Sequence, residues 1–209
     1  MDIFLSRLLQ FAIRVPIALI ALPLHELSHA LVAYLLGDPT AKQRGRFTLN
    51  PLKHLDPIGT TLFVLLGFGW AKPVPVSMMY FKKPKRDMGI VALAGPVSNL
   101  LIAFVTLLIL VPLSRFLPLY ITNFVNTFAI LNIGLAIFNL IPINPLDGSR
   151  ILGMILPNEI YYKLMQYERY IMVGLMVLLF FGAFSGIISG ISFAVYQGIL
   201  RFIFFILRM

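Results

Sequence analysis

The stretch "ALPLHELSHALVAYLL", residues 21–36, decides the fold because it sets ionisable groups inside an apolar run. His25, Glu26 and His29 stand among leucines and alanines in a segment that, with its neighbours, is long enough to cross a bilayer. A charge at the middle of a membrane costs about 2.5–3.5 kcal/mol on insertion scales, so such groups need a partner and a use. The stretch therefore predicts a membrane helix that carries a functional site.

The composition of the chain also indicates a membrane protein. Of the 209 residues, 59% are hydrophobic and 12% are charged, about half the charged share of an average soluble domain. Apolar runs predict about five transmembrane helices, near residues 3–36, 88–113, 121–142, 165–184 and 187–207. We predict an all-α polytopic membrane protein that forms a single domain over residues 1–209. The chain has no cysteine, so thiolate metal ligands and disulfides are excluded.

The distribution of charge predicts the orientation and the partners. Nine of the 17 lysines and arginines lie between positions 42 and 86. By the positive-inside rule, the segment 38–87 faces the cytosol and the chain is a multi-pass protein of the cell membrane with its site toward the cytosolic side. The net charge of +9 suits cytosolic loops beside anionic lipid. The lipid bilayer is therefore a predicted partner and nucleic acid is not.

The residues "HELSH" follow the H-E-x-x-H pattern. Residues four apart on a helix lie one turn apart on the same face, so the imidazoles of His25 and His29 can hold one ion. Glu26 is rotated by about 100° from His25, where its carboxylate can take a proton from an attacking water. Neutral imidazole suits Zn²⁺, which is the predicted cofactor. The pattern lacks a third ligand, which must come from elsewhere in the chain.

A candidate for the third ligand lies in "FNLIPINPLDGSR", residues 138–150. Pro142 and Pro145 break the helix near the inner edge of the membrane. Irregular backbone at that depth is tolerated only when it is buried in protein or faces a water-filled cavity. Asp147 on this break can serve as a metal ligand, or it can simply cap the helix that follows. Its combination with "HELSH" favours the ligand.

The two motifs together, "HELSH" and the N-x-x-P-x-x-P-L-D-G pattern of residues 139–148, resemble the site-2 protease family of intramembrane zinc metalloproteases. The resemblance is greatest to short members without PDZ or CBS domains, and it covers most of residues 15–165. It implies cleavage of membrane protein substrates in or next to a transmembrane helix. It also implies that His25, His29 and Asp147 are zinc ligands. Glu26 would then be the base, and Asn139 would steady the substrate or the oxyanion.

The segment between the motifs predicts a small re-entrant or β element near the cytosolic face. "TTLFVLLGFGW", residues 60–70, is too short to cross the bilayer. In "AKPVPVSMMYF", residues 71–81, Val74 and Val76 alternate with prolines, which suits an edge strand. An unwound substrate could add to such an edge as a further strand, and the family has an extended sheet element in this position. We predict substrate binding by Val74 and Val76, although an ordinary surface loop fits the pattern too.

Two further polar residues, Asn99 and His54, lie outside these motifs. Asn99, in "ALAGPVSNLL" (residues 92–101), is predicted to point toward the active centre and bind substrate, with plain helix packing as the alternative. His54 is not assigned as a ligand, because three ligands are already available.

The predicted function is therefore that of a zinc metalloendopeptidase that acts within the membrane in regulated intramembrane proteolysis. One alternative is a metal-binding membrane transporter that uses the same histidines and aspartate. Such a transporter would tolerate glutamine at position 26, and a hydrolase would not. The other alternative is an inactive relative with a scaffolding role.

Overall fold

The structure is a computed structural model that describes residue 12, residues 14–66 and residues 69–208. A π-helical turn at Ile17–Ala21 leads into the first α-helix, and short 3₁₀ turns lie at Pro51–Lys53 and Met78–Tyr80. The α-helices of the described residues are α1 (Leu22–Leu35), α2 (Thr40–Gln43), α3 (Pro57–Leu66), α4 (Pro84–Leu113), α5 (Leu119–Asn139), α6 (Asp147–Gly153), α7 (Asn158–Gln166), α8 (Glu168–Phe180) and α9 (Ser185–Leu207).

Four helices within the described residues are long and apolar enough to cross a membrane, namely the continuous segment Arg14–Leu35 and helices α4, α5 and α9. They correspond to the predicted spans near 3–36, 88–113, 121–142 and 187–207, although residues 3–11 and 13 lie outside the described residues. The chain is thus a mostly helical multi-pass membrane protein.

The predicted span at 165–184 differs from the structure. The helix in that region, α8, has 13 residues and is about 20 Å long at 1.5 Å per residue. The hydrocarbon core of a bilayer is about 30 Å thick, so α8 is too short for a perpendicular crossing. Gly182, at φ +70°, lies in the turn that follows α8. The apolar composition continues through this turn, which is why the sequence predicts a longer helix than the structure contains.

Helix α4 is the element against which the others pack, since it contacts α1, α5, α6 and α9. Ala92 and Gly95, two small buried residues on one side of α4, let α1 approach closely. On α1, Ala30 and Ala33 are also small and fully buried. Small residues at such an interface allow the dispersion contacts that hold membrane helices together. Toward its C-terminal end α4 packs against α5 and α9 in an apolar core that includes Leu107, Ile133 and Ile203.

The predicted β element is not a strand in the structure. Among the described residues the pairing is a single antiparallel bridge between Leu55 and Ala71. Residues 72–77, which we call the strap, run without regular structure. Pro73 and Pro75 have no N–H to give to a ladder. The strap is held by one backbone hydrogen bond, from Lys72, and otherwise by side chains. Helix α3, with 10 residues, is too short to cross, as the sequence predicts.

Candidate metal centre and catalytic cavity

Helix α1 brings the two histidines of "HELSH" together. Both side chains are buried, with 5% exposure for His25 and 8% for His29. Their Nε2 atoms lie 3.0 Å apart, because residues four apart stand one above the other on a helix. The sequence expectation that both imidazoles face one point is therefore met by the geometry.

Asp147 reaches the same point from the other side of the molecule. Helix α5 ends at Asn139, and the chain turns through residues 140–146 before α6 begins at Asp147. Gly148 makes this turn possible, because a Cβ there would lie 2.2 Å from the Leu140 carbonyl oxygen. As a result the Asp147 Oδ2 atom lies 3.2 Å from His25 Nε2 and 3.4 Å from His29 Nε2.

The three atoms fit a tetrahedral zinc ion. Ligand atoms bonded to zinc at about 2.0–2.1 Å lie about 3.3–3.4 Å from one another when the coordination is tetrahedral. The observed separations of 3.0, 3.2 and 3.4 Å are close to that value. The Asp147 Oδ2 atom is buried and has no hydrogen-bond partner among the described residues, as expected of an atom that binds a cation. Burial alone would raise the pKa of the Asp147 carboxyl, but the two imidazoles beside it outweigh that effect and hold the pKa below its usual value.

Both imidazoles are oriented by α4. The Nδ1 atom of His29 lies 2.8 Å from the Val91 carbonyl oxygen, which accepts a hydrogen bond and leaves Nε2 of the neutral ring as the lone-pair atom. The Nδ1 atom of His25 lies 3.2 Å from the side-chain nitrogen of Asn99. The other amide atom, Asn99 Oδ1, is buried without a partner. Exchanging the two amide atoms, which have nearly the same shape, lets Oδ1 accept from His25 Nδ1–H.

Asn99 thus lies behind His25 and not in front of it. The residue is fully buried, with 0% exposure. This location favours a role in orienting a metal ligand over the contact with substrate that the sequence suggested. A histidine that binds a metal through Nε2 commonly donates its other ring N–H to such a group.

Gly95 gives α4 the room to approach both rings. A Cβ at this position would lie 2.5 Å from the Nε2 atoms of both His25 and His29. The side of the metal centre that faces α4 is therefore closed by backbone, and the open side faces a cavity.

That cavity has a volume of about 490 Å³. Its lining includes the three candidate ligands and every other predicted site residue except Asn99: Glu26, Val74, Val76 and Asn139. Most of the remaining lining is apolar and includes Leu22, Phe63, Trp70, Phe138, Met172 and Leu175. A cavity of this size and character suits an apolar stretch of polypeptide.

Two predicted residues in the cavity hold hydrogen bonds to backbone. The Oε2 atom of Glu26 accepts from the Val74 N–H at 2.9 Å, so the strap lies directly beside the candidate base. The side-chain amide of Asn139 donates to the Leu135 carbonyl oxygen at 2.9 Å, one turn back along α5. Asn139 therefore stands at the cavity wall with its amide bound to its own helix.

His54 lies apart from the metal centre. It is fully buried, and its Nε2 atom lies 2.7 Å from the Thr48 carbonyl oxygen. Within the described residues, the group that could hold a metal consists of His25, His29 and Asp147, whose ligand atoms lie within 4.8 Å of one another. His54 remains unassigned as a ligand.

Sequence analysis missed several polar residues of the site. Arg150 and Glu168 line the cavity and form an ion pair at 3.3 Å; the position of Arg150, three residues after Asp147 on α6, is the signal that could have revealed it. Asp38 binds the strap from the turn after α1, and Arg46 binds it from the segment after α2. The sequence does not distinguish Asp38 and Arg46 from the other charged residues of the segment 38–87.

Comparisons with known proteins identify the family of the chain. The profile of peptidase family M50 matches residues 113–184. The chain is 45% identical over 167 residues to "Putative zinc metalloprotease YwhC" of Bacillus subtilis, covering 77% of this chain and 76% of that protein. It is 30% identical over 184 residues to "Putative zinc metalloprotease Rip2" of Mycobacterium tuberculosis, covering 84% and 69%. A solved structure, a site-2 protease from Methanocaldococcus jannaschii, aligns over 96% of this chain and 79% of its own length with 28% identity and a TM-score of 0.44.

Proposed function

We propose that this chain, which belongs to peptidase family M50, the site-2 proteases, hydrolyses peptide bonds in or next to transmembrane segments of membrane proteins. The observation that carries the proposal is the convergence of two imidazoles and a carboxylate, with Glu26 beside them, at the wall of one largely apolar cavity. A transporter or a scaffold has less support, since the relatives are named zinc metalloproteases.

His25, His29 and Asp147 would hold the zinc ion. When bound, zinc supplies Lewis acidity that makes water a nucleophile near neutral pH and polarises a carbonyl group. The support for this ligand set is the triangle of 3.0, 3.2 and 3.4 Å between the three atoms and the chemistry of the donors. Val91 and Asn99, at 2.8 and 3.2 Å from the two Nδ1 atoms, keep both rings turned so that Nε2 faces the ion.

Glu26 would act as the general base. Its carboxylate accepts the proton of the attacking water and then gives it to the leaving amine, so the group is restored at the end of the cycle. The hydrogen bond from Val74 N–H, at 2.9 Å, restricts the carboxylate to one orientation in the cavity. One oxygen, Oε2, is engaged in this bond, which leaves Oε1 for the water.

Asn139 would steady the carbonyl oxygen as negative charge develops on it. An amide donor aimed at such an oxygen stabilises the transition state. In the absence of substrate its amide is bound to Leu135, so the role requires the side chain to exchange that partner for the substrate oxygen. The position at the cavity wall supports this role.

The substrate would be the transmembrane segment of another membrane protein, extended where it is cut. Apolar side chains of such a segment match the apolar lining of the cavity, and its backbone must leave the helix before an amide bond can reach Glu26. Val74 and Val76, two residues apart on the strap, are the proposed points of contact.

The orientation that we propose puts the active site toward the cytosol in the cell membrane. The support is the positive-inside rule applied to the nine basic residues of positions 42–86. In this orientation the chain is one membrane domain over residues 1–209, with residues 38–87 as its cytosol-facing segment. Water would reach the cavity from that side.

The test is the zinc content and the cleavage of a model transmembrane substrate by protein purified in detergent. We expect the wild type and Glu26→Gln to bind the same amount of zinc, and cleavage by Glu26→Gln to fall by about 10²–10⁴-fold, the usual worth of a general base. Glu159→Gln, which alters an exposed carboxylate outside the cavity, is the matched control and should cleave like the wild type. A wild type that binds no zinc, or equal cleavage by Glu26→Gln, would refute the proposal.

A further inference from the structure

The strap is fixed by side chains that sequence analysis did not single out. At one end, the Arg46 guanidinium donates to the Lys72 carbonyl oxygen and, at 3.3 Å, to that of Pro73. At the other end, the Asp38 Oδ2 atom accepts from Ser77 N–H at 2.7 Å. Between these two points Glu26 accepts from Val74 N–H. The backbone of six residues is therefore held at three places by side chains of α1, of the turn after it and of the segment after α2.

The two side chains at the ends are buried, which makes their contacts strong. Asp38 has 0% exposure and Arg46 has 7%. A charged group out of contact with water needs hydrogen bonds, and here the strap backbone supplies them. The other oxygen of Asp38, Oδ1, accepts from the Thr40 backbone N–H at 2.9 Å and from the Thr40 hydroxyl, so the carboxylate itself cannot turn.

One backbone N–H donor of the strap has no partner among the described residues. Two of its six residues are prolines without an N–H. Lys72 N–H donates to the His54 carbonyl oxygen at 2.8 Å, Val74 N–H to Glu26, and Ser77 N–H to Asp38. Among the described residues, Val76 N–H is the strap donor without a partner. Val76 also lines the catalytic cavity.

We propose that Asp38 and Arg46 are positioning residues that hold the strap so that Val76 N–H binds one carbonyl oxygen of the substrate backbone and thereby fixes which peptide bond lies beside Glu26. The inference rests on the proposed proteolytic function. A polypeptide anchored by one backbone hydrogen bond two residues from Val74 cannot slide along the cavity, so the enzyme cuts at one register. If the strap is released, neighbouring bonds of the same substrate become available.

The experiment compares two pairs of variants on the same model transmembrane substrate, with the cleaved bond identified by mass spectrometry. Arg46→Gln removes one end of the clamp, and Arg44→Gln removes an exposed charge two residues away as its control. Val76→Pro removes the free N–H, and Val76→Ala keeps it while shortening the same side chain. Zinc content is measured for every variant, because retained zinc shows that the metal centre is still folded.

We expect Arg44→Gln to cut like the wild type. Val76→Ala, which loses side-chain contact with the substrate, should cut more slowly but at the same bond. Arg46→Gln and Val76→Pro, with zinc retained, should lose the single position and cut two or more neighbouring bonds. Cleavage by both variants at only the wild-type bond, at any rate, would overturn the proposal. A merely structural role of Arg46 would change the amount of active protein but not the position of the cut.

A second measurement does not depend on activity. Hydrogen exchange of the backbone amides should be about tenfold faster or more at Ser77 in Asp38→Ala than in the wild type, the factor that corresponds to a hydrogen bond to a charged group. Val76 N–H should exchange rapidly in both proteins, because it has no partner. If the wild type cuts no substrate, the proposed function fails, and unchanged exchange at Ser77 would overturn the clamp on its own.

Discussion

Replacing Gly95 by alanine puts a methyl group into the space between α4 and the two metal-binding rings. The added Cβ would lie 2.5 Å from Nε2 of His25 and from Nε2 of His29. Ordinary contact begins at 3.4 Å, so the rings and α4 must separate by about 0.9 Å. The rings cannot simply rotate away, because their Nδ1 atoms are bound to Val91 and Asn99 on the same helix α4.

This displacement is large on the scale of metal coordination. Bond lengths at a metal site stay within about 0.2 Å of their usual values, so a shift of about 0.9 Å removes at least one histidine from the ion. Loss of an outer partner alone weakens metal binding by about 10–100-fold. For Gly95→Ala, which displaces a ligand, we therefore expect zinc affinity to fall by at least about 100-fold, and proteolysis to fall with it.

The assay is competition for zinc with a chelator of known affinity, followed by cleavage of the model substrate at a fixed free zinc concentration. Gly198→Ala on α9 is the matched control, because within the described part of the chain its added methyl group has no contact within 4 Å beyond its neighbours and the backbone of its own helix. Alanine is a better helix former than glycine by about 0.5–1 kcal/mol, so a loss in Gly95→Ala cannot come from the helix itself. Wild-type zinc affinity in Gly95→Ala would show that the α1–α4 contact does not shape the site.

Three other changes have defined outcomes. Asn139→Ala should retain zinc and lose about 10²–10³-fold in kcat, the usual effect of removing one oxyanion donor, and an unchanged kcat would exclude that role. Asn99→Leu should weaken zinc binding by about 10–100-fold in the chelator competition. Asn99→Asp keeps an acceptor for His25 Nδ1–H and should retain most of the affinity. Equal affinity in both variants and the wild type would contradict the orienting role. Removing zinc with a strong chelator should abolish cleavage and adding zinc should restore it, and cleavage that persists in metal-free protein would contradict the ligand set.

The convergence of the candidate ligands could be predicted from the sequence because its signals are local. The spacing of His25 and His29 fixes their geometry once the segment is helical. Asp147 was identifiable because prolines break the helix just before it. The orientation of the rings was not identifiable in this way, since Val91 and Asn99 approach them only after α4 packs against α1. The need for glycine at position 95 depends on the same packing.

The fold was predicted less completely where the apolar composition of a segment does not determine its backbone structure. The apolar run at 165–184 is long enough to span, but the helix within it stops at Phe180, and composition alone does not locate that end. The alternation of Val74 and Val76 indicated a strand, whereas in the structure Val74 and Ser77 donate hydrogen bonds to carboxylates that are remote in sequence. Strand propensity indicates that a segment can pair with another strand, but the strap binds mainly to side chains.

The prolines of the strap have a further consequence, which concerns contact between two copies of the protein. An exposed strand edge with a row of free N–H groups invites pairing with another chain, and proteins protect such edges with proline. In the strap, Pro73 and Pro75 remove two donors, and among the described residues three of the remaining four are already bonded. A single free donor can hold one passing polypeptide briefly, but it cannot support the repeated pairing that joins one strap to another. The segment that we propose as the substrate contact is in this way protected against self-association.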